Sequence, residues 1–478
     1  MHPQTAFLKV ISRLDATAIV AGSMIGSGIF IVSAEIARTV HNPGLLLLVW
    51  AVSGVVTLLG AMTYSELAAM FPKAGGQYVY LREGISPLFG YLYGWTLFLV
   101  IQTGTIAAVA VAFARFTAVF FPQITPEVFL GIAINFPQPI GPIEVGLSLQ
   151  RILAILSIAL LTWINIRGVK MAAFVQTSLT ILKIAALFFL IVLGLGIGNH
   201  SGAYHMNFDA DFRPASGWTM ALLLPAFGAA MVGSLFSMDA WNNVGFAAGE
   251  LKQPEKDLPF AMVTGTLMVI ILYLLANIAY LNVLSMDAIA HAPQDRVATA
   301  AMQVIFGETG LYIMAAAIII STFGCNNGLI LSGARVYYAM AQDRLFFQSI
   351  GVLHPQYRTP ALALIIQAVW TSVLCLSGTY SQLLEYVIFA AVLFYVLTSI
   401  SLFALRIRQP ELLRPVRVKG YPSVPALYLV LTALICINLL FTRPTYSGLG
   451  LLLVLLGVPV YFVWKMHEKL PSNWQSIR

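Results

Sequence analysis

Residues 21–30 read Ala21-Gly22-Ser23-Met24-Ile25-Gly26-Ser27-Gly28-Ile29-Phe30, in the middle of an apolar segment long enough to cross a membrane. A second segment of membrane length is interrupted at residues 234–243, Ser234-Leu235-Phe236-Ser237-Met238-Asp239-Ala240-Trp241-Asn242-Asn243. In hydrocarbon an unpaired backbone amide or carbonyl costs several kcal/mol, so non-helical backbone at that depth must line a cavity inside protein. Two such breaks, each early in one half of a chain, are typical of the binding site of a membrane transporter.

The composition is that of a membrane protein. Apolar residues of the AVILMFWYC set make up 59% of the 478-residue chain, and charged residues make up 9%. Soluble domains carry about 25% charged residues. We therefore expect residues 1–478 to form one polytopic transmembrane domain that lies in the lipid bilayer.

The formal charge of +7 is spread unevenly along the chain. If the N-terminus lies inside the cell, 19 of the 26 Lys and Arg residues fall on the inner side of the membrane. This bias is the positive-inside pattern, and it predicts a multi-pass plasma-membrane protein with both termini in the cytoplasm. Because membrane orientation accounts for the positive charge, the sequence predicts no nucleic-acid partner.

The apolar runs predict about twelve membrane-spanning helices, since about 20 apolar residues cross a bilayer. These runs lie near residues 15–37, 45–70, 88–120, 151–167, 172–197, 219–248, 259–284, 302–341, 360–378, 383–405, 424–442 and 447–466. Five spans precede the one with the second break. The chain thus divides into two sets of five, about 14–197 and about 219–405, followed by two extra helices at about 424–466. An odd number of spans in each set predicts that the two sets are inverted in the membrane.

The first break offers complementary groups for a zwitterion. Three small residues, Gly26-Ser27-Gly28, disfavour a helix. A half-helix that starts after Gly28 would direct its N–H groups and positive dipole end at a carboxylate, while the carbonyls near Met24 suit an ammonium. The alternative is a small-residue motif for helix packing. The candidate substrate-binding residues here are Met24, Ile25, Gly26, Ser27 and Gly28.

The second break favours the binding-site interpretation. Asp239 at the centre of a span would cost roughly 2.5–3.5 kcal/mol on insertion scales, so it should face a cavity or a partner. Phe236 and Trp241 can stack on a ligand, although packing in the core or against lipid explains them equally well. A buried ion pair is the alternative for Asp239. The candidate substrate-binding residues here are Phe236, Ser237, Met238, Asp239, Ala240, Trp241 and Asn242.

Lys183 is the only charged residue of its span. An ammonium group at that depth needs carbonyl or hydroxyl oxygens, which the broken first helix and Ser321-Thr322 can supply. Lys183 would then act as a built-in cation in place of a bound sodium ion. The alternatives are an ion pair with Asp239 or another acid and, if burial lowers the affinity of the amine for protons, proton exchange.

The sequence gives no sign of covalent chemistry. Cys325, Cys375 and Cys436 all fall inside apolar spans, so we expect neither a disulfide framework nor a metal site. The chain lacks a metal-ligand constellation, a nucleophile with its base and a phosphate-binding loop. We therefore predict that the protein is not an enzyme and uses no cofactor.

Motifs in a fixed order run along nearly the whole chain. They are Gly26-Ser27-Gly28, Tyr64-Ser65-Glu66-Leu67 through Pro72-Lys73-Ala74-Gly75-Gly76-Gln77-Tyr78, Gly249-Glu250 with Gln253-Pro254-Glu255-Lys256, Ser321-Thr322-Phe323-Gly324 with Ser332-Gly333-Ala334-Arg335, and His354-Pro355 through Thr359-Pro360. Together they resemble the amino acid–polyamine–organocation (APC) superfamily and, within it, the L-amino-acid transporter (LAT) branch.

This resemblance implies an all-α LeuT-type fold, a five-plus-five inverted repeat with discontinuous helices 1 and 6 and two extra helices. It implies that Ser27 and Gly28 bind the carboxylate of an amino acid and that carbonyls near Met24 and Phe236 bind its ammonium. Phe236 matches the aromatic gate over the substrate. Lys183 matches the lysine that replaces sodium in sodium-independent members, and Ser321 is expected near it.

Two departures from the LAT pattern bear on function. The branch often has glycines where this chain has Asp239 and Ala240. A substrate with a cationic side chain therefore remains an alternative. The outer-loop cysteine that tethers animal light chains to a glycoprotein is missing, so we expect no disulfide-linked heavy chain. We predict a sodium-independent exchanger of neutral L-amino acids; the alternative is a proton-coupled symporter or a carrier of cationic amino acids or polyamines. The sequence leaves the oligomeric state open.

Overall fold

The computed structural model describes residues 7–135, 142–198, 202–209, 219–377 and 380–467, which are mostly helical. Its α-helices are α1 (Arg13–Met24), α2 (Gly28–Val40), α3 (Pro43–Met70), α4 (Gln77–Gly84), α5 (Pro87–Thr96), α6 (Gln102–Thr117), α7 (Leu149–Ile166), α8 (Val169–Gly196), α9 (Ala203–Phe208), α10 (Met220–Ser237), α11 (Pro254–Val283), α12 (Met286–Ala290), α13 (Val297–Gln342), α14 (Ala361–Ser377), α15 (Tyr380–Arg408), α16 (Ser423–Thr442) and α17 (Pro444–His467).

Shorter elements connect these helices. A π-helical turn joins α5 to α6, and the described residues further along the chain include three 3-10 segments. Their bounds are Leu97–Ile101 for the π turn and Asn243–Glu250, Pro293–Asp295 and Gln348–Gly351 for the 3-10 segments. Between α6 and α7, strands β1 (Leu130–Asn135) and β2 (Pro142–Leu147) pair antiparallel, with Leu130 opposite Leu147.

Eleven helical segments in the described residues are long and apolar enough to cross a membrane, counting α1 and α2 as one span. This agrees with the predicted all-α, multi-pass membrane fold. The span predicted near 360–378 is α14, an apolar helix of 17 residues, which is shorter than the other eleven. The helix predicted near 302–341 is α13, which has 46 residues and one non-helical residue, Gly307.

Several helices begin at the caps that their sequences supply. Ser12 and Asp15 form a capping box before α1. The side chain of Asn42 accepts a hydrogen bond from the Leu45 N–H (2.9 Å), and Pro43 then occupies the first position of α3. These side chains satisfy amide groups that the first turn of a helix leaves without a partner. The chain can therefore end one helix and begin the next without losing backbone hydrogen bonds.

Both predicted breaks are present. The first separates α1 from α2 at residues 25–27, where Ile25 has φ −75° and ψ 84°. The second follows Ser237, and Ala240 in it has φ 68°. A left-handed conformation costs a residue other than glycine about 1–2 kcal/mol. The second break is therefore a specific backbone structure that the surrounding helices must hold in place.

The ends of the broken helices are tied together on the side of the membrane where α1 begins, here called the N-terminal side. The Val10 and Ile11 N–H groups both lie 3.0 Å from the Glu250 carbonyl oxygen, and the Lys252 N–H donates to Ile11 (3.0 Å). Glu250 itself forms an ion pair with Arg335 of α13 at 3.0 Å, and both side chains are fully buried. The segments that flank both breaks are thus closed against α13 in this conformation.

Candidate substrate-binding site

The two breaks lie against each other. The Tyr273 hydroxyl of α11 is 2.9 Å from the Met24 carbonyl oxygen and 3.2 Å from the Ser237 carbonyl oxygen, so one side chain bridges the ends of α1 and α10. Gly28 packs directly on the second break, where an added Cβ would lie 2.9 Å from the Ser237 Cα. No side chain larger than hydrogen fits between the two backbones at this point.

A cavity lies between the breaks. The first break contributes Ser23, Met24, Gly26, Ser27 and Gly28, the second contributes Phe236, Ser237, Asp239 and Ala240, and Thr105, Val109 and Cys325 complete the lining. The first N–H groups of a helix have no acceptor within the helix, and they form the positive end of its dipole. The start of α2 at Gly28 therefore offers this cavity a place for a carboxylate.

Lys183 reaches the first break from α8. Its Nζ donates to the carbonyl oxygens of Gly22 (2.5 Å), Ile25 (2.9 Å) and Ser321 (3.4 Å). The side chain is 1% exposed, whereas its neighbour Leu182 is 49% exposed on the outer surface of α8. An ammonium group with three donors is matched to carbonyl oxygens that the end of a helix leaves unpaired.

Ser321 belongs to the same arrangement. Its hydroxyl lies 3.1 Å from the Ile25 carbonyl oxygen and 3.3 Å from the Gly26 carbonyl oxygen. Ile25 therefore takes part through its backbone, which Lys183 and Ser321 both contact, and its side chain does not line the cavity. Among the described residues, Lys183 forms no ion pair with Asp239, the alternative that the sequence left open.

Asp239 lies at the centre of the second break. The Tyr395 hydroxyl of α15 donates a hydrogen bond to its carboxylate. No Lys, Arg or His of the described chain lies within ion-pair distance of this carboxylate. Asp239 faces three cavities, including the one between the breaks. It is thus a carboxylate held by neutral groups at the edge of the candidate site.

The aromatic candidates of the second break have different surroundings. Phe236 is buried and lines the cavity between the breaks. Trp241 does not line that cavity. Its ring packs edge-on against Tyr64, with centroids 4.8 Å apart, and lies tilted against Tyr395 at 5.8 Å. The core-packing alternative therefore describes Trp241 better than stacking on a ligand between the breaks.

Two more candidates lie beside the cavity. Met238 is fully buried and faces a separate, mainly apolar space between α3, α15 and α16. The Asn242 Nδ2 donates to the Gln77 Oε1 at 2.9 Å, which fixes the end of the second break against α4. Met238 and Asn242 thus belong to the second break but lie outside the cavity between the breaks.

Sequence reasoning missed several residues that complete the site. Tyr273 bridges the breaks, Tyr395 holds Asp239, and Thr105, Val109 and Cys325 line the cavity. Tyrosine, threonine, valine and cysteine are ordinary residues in membrane helices, and each of these lies far along the chain from the break that it contacts. Only the positions of α6, α11, α13 and α15 around the breaks identify them.

The three cysteines, Cys325, Cys375 and Cys436, are buried and free in this structure. Cys325 contacts the first break, where its Sγ donates to the Ser23 carbonyl oxygen at 3.0 Å. Within the described ranges, no group of three or more His, Cys, Asp or Glu side chains is arranged to hold a metal ion.

The family model described as amino acid permease matches residues 11–463, nearly the whole chain and both breaks. This chain belongs to the amino acid permease family. The resemblance to the APC superfamily seen in the motifs is therefore correct.

Similar permeases include one named as an exchanger and two named as amino acid transporters. The serine/threonine exchanger SteT of Bacillus subtilis is 32% identical over 98% of this chain and 100% of its own length. The mouse large neutral amino acids transporter small subunit 2 is 32% identical, and the mouse Asc-type amino acid transporter 1 is 30% identical. Each of these two matches covers 98% of this permease and 83% of the relative.

Proposed function

We propose that this permease is a sodium-independent exchanger of neutral L-amino acids that works by alternating access. The α-carboxylate would lie at the N–H groups of Ser27 and Gly28, and the α-ammonium at the carbonyls of Met24 and Phe236. Phe236 would cover the bound substrate as a gate. The similarity to a serine/threonine exchanger and to a large neutral amino acids transporter supports this choice of substrate.

The observation that carries the proposal is the contact of Lys183 with the first break. Its ammonium group lies against the carbonyls of Gly22, Ile25 and Ser321. We propose that it takes the place that a bound sodium ion would have in a sodium-dependent transporter. A fixed cation supplies this charge in every step of the cycle. Transport is then not tied to a sodium gradient, which suits an exchange of one amino acid for another.

Alternating access requires that the substrate binds both facing states, because tight binding to one state alone would stop the cycle. We propose that residues 14–197 and 219–405 act as the two inverted halves of the carrier, with α16 and α17 as the extra helices. Both breaks would then face the substrate while one half moves against the other. We also propose the plasma membrane as the location, with both termini in the cytoplasm, from the distribution of Lys and Arg.

Counterflow in proteoliposomes tests this function. Vesicles that contain the purified protein and unlabelled L-serine should take up radiolabelled L-serine from a buffer in which choline replaces sodium. Proteoliposomes without internal amino acid, and protein-free vesicles loaded with L-serine, serve as controls. Uptake that requires sodium, or uptake that does not depend on an internal amino acid, would show that the proposed exchange is wrong.

The same vesicles test the rival function, a proton-coupled symporter or a carrier of cationic amino acids. Asp239 favours this rival, because a carboxylate with no cationic partner among the described residues can bind a cationic group. An exchanger should ignore an imposed pH gradient. Accumulation driven by that gradient, or efficient uptake of L-lysine, would replace our proposal by the rival.

We further propose that the transporter works without a disulfide-linked partner chain. The sequence has three cysteines, and all three are buried inside the helical bundle. Electrophoresis of native membranes with and without a reducing agent tests this. The protein should migrate at the same position in both lanes, and a heavier band that disappears on reduction would contradict the proposal.

A further inference from the structure

A second cavity opens beside the proposed amino acid site. It shares Thr105, Asp239 and Ala240 with the cavity between the breaks. We call it the polar cavity, because hydrogen-bonding side chains form much of its wall. These are Gln77, Tyr93, Gln102, Thr105, Asp239, Asn242, Asn243 and Tyr395. An amino acid bound at the breaks has this space next to its side chain.

One amide in the polar cavity has no partner. The Nδ2 of Asn243 is buried and finds no hydrogen-bond acceptor among the described residues, although Asn243 is only 4% exposed. A buried donor without an acceptor costs about 1–3 kcal/mol. Asn243 therefore offers a hydrogen bond to an acceptor atom that enters the cavity.

The other amide nitrogens of the polar cavity each donate at least one hydrogen bond. The Asn242 Nδ2 donates to Gln77 (2.9 Å), and the Gln77 Nε2 donates in turn to Thr398 (2.9 Å). The Gln102 Nε2 donates to the Leu329 carbonyl oxygen at 2.7 Å. Among the described amide side chains of this wall, Asn243 is the one whose nitrogen has no acceptor.

Asp239 supplies the complementary group. Tyr395 donates to its carboxylate from one direction. A carboxylate has two oxygens with about four acceptor positions, so it can accept a further hydrogen bond from a group in the cavity. The polar cavity thus presents an acceptor side chain, Asp239, and a buried amide donor without an acceptor, Asn243, four residues apart along the chain.

We infer that the polar cavity binds the side chain of the transported amino acid and selects neutral side chains that both donate and accept a hydrogen bond. A hydroxyl or a carboxamide has this character. Such a group donates to Asp239 and accepts from Asn243 at the same time. The inference rests on the proposed amino acid exchange and names the substrates within it.

Other side chains satisfy at most one of the two groups. A lysine ammonium has donors alone and leaves the Asn243 Nδ2 without an acceptor. An acidic side chain places a second negative charge beside Asp239. A valine or leucine side chain satisfies neither group, so it pays the cost of desolvating both.

Competition between matched amino acids tests the inference. Proteoliposomes exchange radiolabelled L-alanine, and unlabelled L-threonine is compared with L-valine, which has nearly the same shape but a methyl group in place of the hydroxyl. L-Asparagine and L-leucine form a second pair, and L-lysine is tested separately. In the wild type, threonine should compete at least about tenfold better than valine, as expected for one buried hydrogen-bond partner left unsatisfied.

Asn243→Leu should reduce this preference for threonine to about twofold or less while alanine exchange persists. Asn243→Ala provides a second, smaller replacement if the leucine variant does not fold. Asn438→Leu is the matched control, because the Asn438 Nδ2 also has no acceptor in the described part of the chain but lines none of the three cavities. It should keep the preference of the wild type.

The results separate the inference from the function. If the wild type exchanges alanine but valine or lysine competes as well as threonine, the selection by the polar cavity is wrong and the exchange stands. The inference is also wrong if both Asn243 variants weaken the competition by threonine and by valine to the same extent. If the wild type exchanges none of these amino acids, the proposed function fails, and the inference fails with it.

Discussion

At the scale of single residues, Lys183 is the strongest test of the mechanism. Lys183→Ala removes the ammonium group and leaves the carbonyls of Gly22, Ile25 and Ser321 without this donor. The end of α1 then loses both a charge and its hydrogen bonds. We expect exchange to fall by about tenfold or more, as for the loss of a charged hydrogen bond of about 1.5–3 kcal/mol.

Proteoliposome counterflow measures this loss, and gel filtration in detergent checks that the variant is folded. Lys170→Ala is the matched control, since Lys170 belongs to the same helix α8 but is exposed. The control should exchange amino acids as the wild type does. Unchanged exchange by Lys183→Ala would remove Lys183 from the mechanism.

Gly28 tests the contact between the two breaks. A Cβ at this position would lie 2.6 Å from the Ser237 Cβ and 2.9 Å from its Cα, and the Cα belongs to the backbone and cannot rotate away. Gly28→Ala should therefore push the breaks apart and abolish the binding of amino acid. The measurement is the rise in melting temperature of the detergent-solubilised protein when L-serine is added.

This rise should be present in the wild type and absent in Gly28→Ala. Gly196→Ala is a fitting control, because a Cβ on Gly196 would meet no atom within 4 Å. A Gly28→Ala variant that serine still stabilises would mean that the carboxylate site lies elsewhere.

The residues that sequence reasoning found are those that conflict with a lipid environment. Four of them are unfavourable in a membrane helix and therefore stand out in the sequence: Gly26, Gly28, Asp239 and Lys183. Tyr273 is not unfavourable in this way, and its role depends on where α11 passes the breaks. Residues of the latter kind cannot be predicted without the arrangement of the helices.

At the scale of elements, hydropathy located the helices well because the bilayer fixes their length. The breaks fell where glycine or a polar run interrupts an apolar segment, at residues 25–27 and after Ser237. Buried ion pairs were not predictable. Glu66 of α3 pairs with Arg406 of α15 (2.6 Å), although 340 residues separate them in the sequence. Their positions near the ends of spans do not identify them as partners.

The bridge between the two broken elements can be tested through Tyr273. Tyr273→Phe keeps the ring and removes the hydroxyl that serves the carbonyls of Met24 and Ser237. Leaving these buried acceptors without their donor should cost about 1–3 kcal/mol of unfolding free energy. The expected result is a lower melting temperature in detergent, measured by tryptophan fluorescence.

Tyr312→Phe is the control for this substitution, because Tyr312 of α13 is 43% exposed. It should melt at the temperature of the wild type. Equal melting temperatures for all three proteins would show that the hydroxyl of Tyr273 does not hold the breaks together.

At the scale of the whole molecule, the N-terminal side is closed by contacts that alternating access would have to release. Glu250 connects three parts of the chain there: its carbonyl accepts from Val10 and Ile11, and its carboxylate pairs with Arg335 at 3.0 Å. The pair is fully buried. Removing one partner of a buried ion pair typically costs about 3–5 kcal/mol, since the other charge remains without compensation.

A double-mutant cycle at this pair measures how strongly the closed side is held. Glu250→Leu alone should lower the unfolding free energy by about 3–5 kcal/mol, because the Arg335 guanidinium stays buried without its carboxylate. The double variant Glu250→Leu with Arg335→Met should recover most of this loss, because it replaces both charges by apolar groups of similar size. Chemical unfolding in detergent provides the free energies. If the single and double variants lose the same amount, the ion pair does not couple the second break to α13. Other contacts, such as the backbone bonds of Val10, Ile11 and Lys252, must then hold the closed side.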